Sequence, residues 1–124
     1  IGSTKIQCRI DLIDENLIVI DHKTAAKAYD QDKADNMLQF SAEAFVLRAP
    51  IDCEVHVALK RSNKINIVKT HRTIEDIMWW RKLAGEVIKG ISAEVFPCNP
   101  NGWWCDEKYC EYYKECRKGT TAYR

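Results

Sequence analysis

Two aspartates lie in adjoining apolar segments near the start of the chain, with a lysine close behind the second. Asp11 lies within residues 10–13, and Asp21 directly follows the apolar run 17–20. Lys23 comes two residues after Asp21 and points to the same face while the chain stays extended, because side chains in a strand alternate between faces. These three side chains could therefore meet at one place on a sheet.

The residues between the two segments decide whether the aspartates converge. The polar stretch 14–16 is short, which favours a hairpin that brings Asp11 and Asp21 together. Two carboxylates can hold Mg²⁺ or Mn²⁺, and the metal lowers the pKa of a bound water. Lys23 would stabilise negative charge on the nucleophile or the transition state. The set fits hydrolysis of a phosphodiester; the alternative is a pair of aspartates that only end strands.

A resemblance to a known family rests on these residues and on a glutamine further along. The matching pieces are Arg9-Ile10-Asp11-Leu12-Ile13, Ile20-Asp21-His22-Lys23-Thr24 and Gln39. In this ordered set the chain resembles the PD-(D/E)XK nuclease superfamily, specifically the RecB-like and Cas4-like branch common in phage-type exonucleases. The resemblance extends to a cysteine-rich tail and so covers most of the chain.

The resemblance implies a fold, an activity and a set of site residues. The fold is α/β (α+β), a restriction-endonuclease-like mixed β-sheet flanked by helices. The activity is that of a metal-dependent DNA nuclease, an exonuclease of phage-type recombination, repair or replication. Asp11 and Asp21 would bind Mg²⁺ or Mn²⁺, with the backbone carbonyl of His22 completing the metal's shell. Lys23 would assist the attack of water, and Gln39 would contact DNA or orient the lysine.

The chain departs from the resembled pattern at three points. Cys8 stands where family members often have a glycine, three residues before the first aspartate. Glu43 stands at the tyrosine of the family's Q-x-x-x-Y motif, which Gln39 begins. A helix that often carries a metal-site residue precedes the first aspartate in the family, and we expect the chain to be a C-terminal fragment that lacks it.

Hydrophobic periodicity predicts the order strand, strand, helix, strand, strand, helix. The predicted strands cover residues 4–13, 17–20, 53–59 and 64–70, and a helix runs from Asp32 or Asp35 to Leu47. Thr73 is the expected N-cap of a last helix that ends near Lys89, before Gly90. Trp79 and Trp80 fall in that helix, where core packing or a partner surface is favoured over base stacking.

The helix before Pro50 shows two stripes. The expected apolar stripe is Leu38, Ala42 and Phe45, with Met37, Ser41 and Ala44 beside it. Asp35, Gln39 and Glu43 follow at i, i+4 and i+8 and so form a separate polar stripe.

The composition is that of an ordinary globular protein. The chain has 124 residues, 46% hydrophobic and 30% charged, enough for one core. No run approaches the ~18–20 apolar residues of a membrane span and no signal peptide is evident, so we expect cytoplasmic residence without a membrane partner. The net charge of +1 gives no global sign of nucleic-acid binding. A local basic cluster could neutralise phosphates or merely protect a hairpin edge: Lys60, Arg61, Lys64, Lys69, His71 and Arg72.

The tail contains four cysteines, Cys98, Cys105, Cys110 and Cys116, among several aromatic residues. Their spacing lacks the C-x2-C pair typical of zinc sites. Three interpretations remain open: a 4Fe–4S cluster, as in some resembled nucleases, a zinc site, or reduced structural cysteines packed with tail aromatics. The last is favoured. Disulfides are a minor alternative, because Cys8 and Cys53 lie in predicted strands, where buried thiols are common.

The leading prediction is therefore a nuclease core at residues 1–96 with a tail at 97–124 that packs on it. Its partner would be DNA, single- or double-stranded, with linear ends. The alternative is a catalytically incomplete nucleic-acid-binding or assembly module whose tail is structural. A second copy of the chain or an upstream segment of the same protein is a further expected partner.

Overall fold

The computed structural model describes residues 1–95 and 102–117. Its elements are β1 (Leu12–Ile13), β2 (Val19–Ala25), α1 (Gln31–Asp35), α2 (Leu38–Leu47), β3 (Ile51–Leu59), β4 (Ile65–Arg72), α3 (Ile74–Ser92) and α4 (Tyr113–Arg117). The predicted alternation of strand pairs and helices is confirmed.

The four strands form one mixed sheet in the order β1-β2-β3-β4. The outer pairs β1–β2 and β3–β4 are antiparallel, whereas β2 and β3 are parallel, with Asp21 opposite Val55 and Lys23 opposite Val57. Parallel neighbours need a crossover connection, and α1 and α2 lie within it. This is the α+β arrangement, a mixed sheet with flanking helices, that the sequence predicted.

The turn between β1 and β2 is stabilised by an aspartate side chain. Asp14 Oδ1 accepts hydrogen bonds from the backbone N–H groups of Asn16 at 2.9 Å and Ile18 at 2.8 Å. Leu17 takes a left-handed conformation, with φ 63°. Such side-chain bonds are why aspartate favours tight turns. The predicted hairpin is therefore present.

The first strand is much shorter than the predicted 4–13, since only Leu12–Ile13 pairs as a strand. One position before Leu12, the carboxylate of Asp11 accepts the N–H of His22 at 2.9 Å. The Asp11 side chain therefore accepts the His22 N–H at the position where the backbone hydrogen bonds between β1 and β2 end.

The core lies between the sheet and α2. Alternate residues of β3 are buried, among them Val55 and Val57, each 0% exposed, and Phe40 of α2 is also 0% exposed. The predicted apolar stripe is wrong at Leu38, which is 48% exposed, while Ala42 and Phe45 are half-buried. Ser41 and Ala44, which were placed beside the stripe, are buried, as are Phe40 and Glu43.

The single helix predicted to end at Leu47 is two helices. Asn36 ends α1, and Met37 is extended before α2 begins at Leu38. A buried arginine, Arg72, donates to the backbone oxygens of Ala34 at 3.0 Å and Met37 at 3.1 Å. These bonds give the backbone oxygens at the break a side-chain donor, in addition to the Met37 N–H that Ala34 O accepts at 3.2 Å.

The last long helix begins as predicted and ends slightly later. Asp76 N donates to Thr73 Oγ1 at 3.2 Å, and Thr73 N donates to Asp76 Oδ2 at 2.8 Å, which is a reciprocal cap. The helix continues through Gly90 to Ser92. Trp80 packs on Phe45 with ring centroids 5.2 Å apart, whereas Trp79 is 56% exposed.

The chain divides into two compact units, residues 1–89 and 90–124. The predicted boundary lies a few residues later, between 96 and 97, and the packing of the tail on the core stays a prediction. Within the described ranges, no helix has the length and apolar character needed to cross a bilayer.

Candidate active site

Asp21 and Lys23 lie on β2 and form an ion pair on the face that packs against α2. The side chain of Asp21 is 3% exposed and that of Lys23 is 34% exposed. Lys23 Nζ donates to Asp21 Oδ1 at 2.9 Å and also lies 2.8 Å from Oδ2. The directed hydrogen bond goes to Oδ1, so the approach to Oδ2 is an electrostatic contact. The lysine is thereby positioned by a buried carboxylate and still reaches solvent.

Gln39 on α2 joins both members of this pair. Its Nε2 donates to Asp21 Oδ1 at 2.6 Å, and its Oε1 accepts from Lys23 Nζ at 3.0 Å. A primary amide has hydrogen-bond donors on its nitrogen and an acceptor on its oxygen, so the Gln39 side chain can bond to both the carboxylate and the ammonium. The structure thus brings Gln39 beside the predicted lysine.

Asp11 lies at the end of β1, beside the backbone of β2. Its Oδ2 accepts the His22 N–H at 2.9 Å, and its side chain is 41% exposed. The β1–β2 register pairs Leu12 with Ile20, so the next positions along the hairpin are Asp11 and Asp21. The two aspartates converge at one end of the hairpin, although Asp11 has no hydrogen bond to Asp21, Lys23 or Gln39 among the described contacts.

The ring of His22 lies apart from this network. It is 5.6 Å from the ring of His56, measured between centroids, in an edge-to-face arrangement at 89°. Its Nδ1 lies 3.9 Å from Asp11 Oδ2. The predicted contribution of the His22 backbone carbonyl to a metal stays a prediction.

Glu43, one helical turn beyond Gln39, is part of the same network. Gln39 Nε2 donates to Glu43 Oε1 at 3.0 Å, and Glu43 is 2% exposed. Burial is the largest influence and raises the pKa of the Glu43 carboxyl; the Gln39 hydrogen bond opposes it, while Asp21 and Asp11 raise it further. Sequence reasoning placed Glu43 on a polar stripe with Gln39 and noted it as a departure from the tyrosine motif, but gave it no role at the site. Its position four residues after Gln39 was the available signal.

The donor chemistry of the site fits a hard divalent cation. Among the described residues Glu43 Oε2 is buried without a hydrogen-bond partner, and Asp21 Oδ2 is buried with the Lys23 ammonium 2.8 Å away. Carboxylate oxygens are the ligands that Mg²⁺ and Mn²⁺ prefer. Within the described residues no three His, Cys, Asp or Glu side chains form a ready-made metal cage. Mg²⁺ commonly uses one or two carboxylates and keeps several waters, so a site for such an ion needs no cage of three acidic side chains.

The cysteine tail gains no support as a metal site. Cys98 lies outside the described residues, and Cys105, Cys110 and Cys116 are each partly buried. None of the described cysteines belongs to a group of three side chains suited to hold a metal. The iron–sulfur and zinc predictions therefore rest on the sequence alone.

The basic cluster is smaller than predicted. Arg72 is 3% exposed and bonds to Ser41 and to backbone oxygens, so it cannot contact DNA. Lys69 Nζ lies 2.9 Å from Glu54 Oε1, and His71 Nδ1 lies 2.8 Å from Asp52 Oδ1. Lys69 and His71 are exposed but paired with these carboxylates, whereas the exposed residues of the cluster at the β3–β4 turn are Lys60, Arg61 and Lys64.

The mixed sheet and the network on β2 and α2 define a class, the α+β proteins with a restriction-endonuclease-like core. The family model of the PD-(D/E)XK nuclease superfamily matches residues 2–117, so the chain belongs to that superfamily. Membership implies nuclease activity on a nucleic-acid substrate and, in general, the use of divalent metals. No curated protein and no solved structure matched the chain.

Proposed function

We propose that this chain is a metal-dependent deoxyribonuclease, an exonuclease of the RecB-like and Cas4-like branch that acts in phage-type recombination, repair or replication. The observation that carries the proposal is the position of Lys23. Its ammonium is held by the Asp21 carboxylate at 2.9 Å and the Gln39 amide at 3.0 Å, yet a third of its side chain is open to solvent. A fixed positive charge beside carboxylates suits a reaction that develops negative charge on phosphate.

Each residue of the proposed site has a distinct task. Asp11 and Asp21 would hold Mg²⁺ or Mn²⁺, with the His22 carbonyl as a further oxygen ligand. When bound, the cation supplies Lewis acidity that activates water and offsets phosphate charge. Lys23 stabilises the charge of the nucleophile and the transition state. Gln39 keeps the lysine in place between two elements of the fold.

A DNA substrate is supported by charge near the β3–β4 turn. Lys60, Arg61 and Lys64 are exposed there and can neutralise phosphates, which is the main source of affinity for DNA. Because backbone contacts of this kind carry no sequence information, we propose cleavage without sequence preference.

A second candidate is a catalytically incomplete nucleic-acid-binding or assembly module. It is favoured by Asp11, whose hydrogen bond goes to the His22 backbone and which is 41% exposed, so that it stands apart from the Asp21 network. In that case the chain would bind DNA and leave it intact.

The test is cleavage of end-labelled linear single- and double-stranded DNA in Mg²⁺, in Mn²⁺ and in EDTA. We expect metal-dependent cleavage that falls about 10²–10³-fold or more in Lys23→Ala, since loss of one charge-stabilising group costs that much. Lys27→Ala is the matched control, because Lys27 is exposed on the segment after β2. The product ladder separates exonuclease from endonuclease action.

Three outcomes distinguish the candidates. Cleavage in metal that Lys23→Ala loses and Lys27→Ala keeps supports the nuclease and its centre. Equal cleavage by both variants overturns the role of Lys23. Retained DNA binding with no cleavage by the unaltered chain in either metal supports the binding module.

A further inference from the structure

Glu43 is buried at the site without a task in the proposed reaction. It is 2% exposed, and its Oε2 is buried with no hydrogen-bond partner in the part of the chain that the structure describes. Leaving a buried carboxylate oxygen unsatisfied costs free energy, so such a group calls for a physical reason. Packing alone does not supply one, because an apolar or amide side chain of similar size would fill the same space without the cost.

Nearby carboxylates increase the free-energy cost of burying an ionised Glu43. The carboxylates of Asp21 and Asp11 both act on Glu43 in the direction that disfavours its charge. Lys23 opposes them, but its hydrogen bonds go to Asp21 and Gln39. The Asp21 and Glu43 carboxyl groups are buried, Asp11 is more exposed nearby, and one ammonium lies among them, so a divalent cation would offset the negative charge of their ionised forms.

The distances place Glu43 close to the proposed ligand Asp21. One nitrogen atom, Gln39 Nε2, lies 2.6 Å from Asp21 Oδ1 and 3.0 Å from Glu43 Oε1. These two oxygens are therefore no more than about 5.6 Å apart. Two oxygen ligands on opposite sides of one Mg²⁺ are separated by about 4 Å, so the two carboxylates need to approach by no more than about 1.6 Å to bind one ion.

We propose that Glu43 is the third acidic residue of the divalent-cation site, contributed by α2, and that it binds the same ion as Asp11 and Asp21. This inference rests on the proposed function, because it assumes that Asp21 binds the cation. It also assigns a role to the position at which the chain departs from the tyrosine motif, because Glu43 there would be a metal ligand. The helix then contributes both the glutamine that positions Lys23 and a metal ligand.

The experiment measures Mn²⁺ binding by the whole chain, from the electron paramagnetic resonance signal of free Mn²⁺, with no DNA present. The variants are Glu43→Gln, Asp21→Asn as the positive control, and Glu86→Gln as the matched control, since Glu86 is exposed and pairs with Lys89 on α3. We expect Glu43→Gln to weaken Mn²⁺ binding about 10-fold or more, because losses around a metal site commonly reach 10–100-fold. Glu86→Gln should bind as the unaltered chain does.

Thermal unfolding in EDTA guards against a folding defect. If Glu43 is a metal ligand, Glu43→Gln should unfold at the same temperature as the unaltered chain or higher, since a buried carboxylate is removed. Mn²⁺ should then raise the unfolding temperature of the unaltered chain more than that of the variant. A lower unfolding temperature of Glu43→Gln in EDTA would assign Glu43 a structural role and overturn the proposal.

Two further outcomes separate this inference from the function on which it rests. If Glu43→Gln binds Mn²⁺ with unchanged affinity while Asp21→Asn loses it, the inference is overturned and the Asp21 site stands. If the unaltered chain binds no Mn²⁺, both the inference and the metal-dependent function are overturned.

Discussion

Lys23 and Gln39 come from a strand and a helix 16 residues apart, yet Lys23 Nζ donates to Gln39 Oε1 at 3.0 Å. The Gln39 amide thus gives the lysine a hydrogen-bond partner on α2, in addition to Asp21 on its own strand. Gln39→Ala leaves the ammonium with Asp21 alone, so we expect the single-turnover cleavage rate to fall about 10–100-fold, as for other groups that orient site residues. Gln7→Ala, an exposed glutamine, is the control.

DNA affinity should distinguish this positioning role from substrate binding. We expect the KM of Gln39→Ala to change little while kcat falls. A raised KM with an unchanged kcat would instead place Gln39 in contact with DNA, the other role that the sequence allowed.

Arg72 stabilises the break between α1 and α2. Its guanidinium makes six hydrogen bonds, three of them to the backbone oxygens of Ala34, Asp35 and Met37. Arg72→Met would remove all six hydrogen bonds of a buried side chain, among them the one to the buried Ser41 hydroxyl, so we expect the free energy of unfolding to fall by about 3 kcal/mol or more. Urea denaturation measures the loss. Arg61→Met at the exposed β3–β4 turn should change it by no more than about 0.5 kcal/mol.

Loss of the N-terminal cap of α3 should reduce the free energy of unfolding by less than the loss of Arg72. Thr73→Ala removes the Oγ1 that accepts the Asp76 N–H, and we expect a loss of about 1 kcal/mol in the free energy of unfolding. Thr73→Ser keeps the hydroxyl and should restore most of it in the same denaturation experiment. Equal losses in the two variants would contradict a capping role.

Acid should weaken the fold through Glu54. Hydrogen bonds from His56 and Lys69 hold the pKa of the Glu54 carboxyl below its ordinary value of 4.5. A lowered folded-state pKa means that the ionised form stabilises the folded state above pH 4.5, and this stability is lost as the pH falls through the folded pKa. We expect Glu54→Gln to have a flatter decline of unfolding temperature below pH 4.5 than the unaltered chain. Parallel curves for the two proteins would contradict this assignment.

The short-range part of the site was predictable from sequence. Asp21 and Lys23 share a face because they are two apart in a strand, and Gln39 and Glu43 share a helix face because they are four apart. The long-range part was not. Asp11 accepts the His22 N–H in place of a ladder bond, and no local pattern reports that an aspartate will end a strand in this way.

The core of α2 shows a second limit. The helical period groups Leu38 with Ala42 as the buried face. In the structure Phe40, which the predicted stripe leaves out, is 0% exposed, whereas Leu38 is 48% exposed. Polar residues can be buried when distant partners satisfy them, as Arg72 does for Ser41 at 3.1 Å. Such partners come from another element and cannot be read from the helix sequence. For the same reason Arg72, which is buried by these contacts, was predicted to lie on a basic surface.

The parallel pairing of β2 with β3 also determines the order in which the chain can fold. β3 and β4 are joined by a short turn and can form a hairpin from local contacts, whereas β2 must close the loop that contains α1 and α2 before it pairs. Asp21 and Lys23 lie on β2 and Gln39 on α2, so the site is held on the complete sheet only after that closure. During refolding we therefore expect the hairpin to become protected from hydrogen exchange first and the ability to cut phosphodiesters to return last.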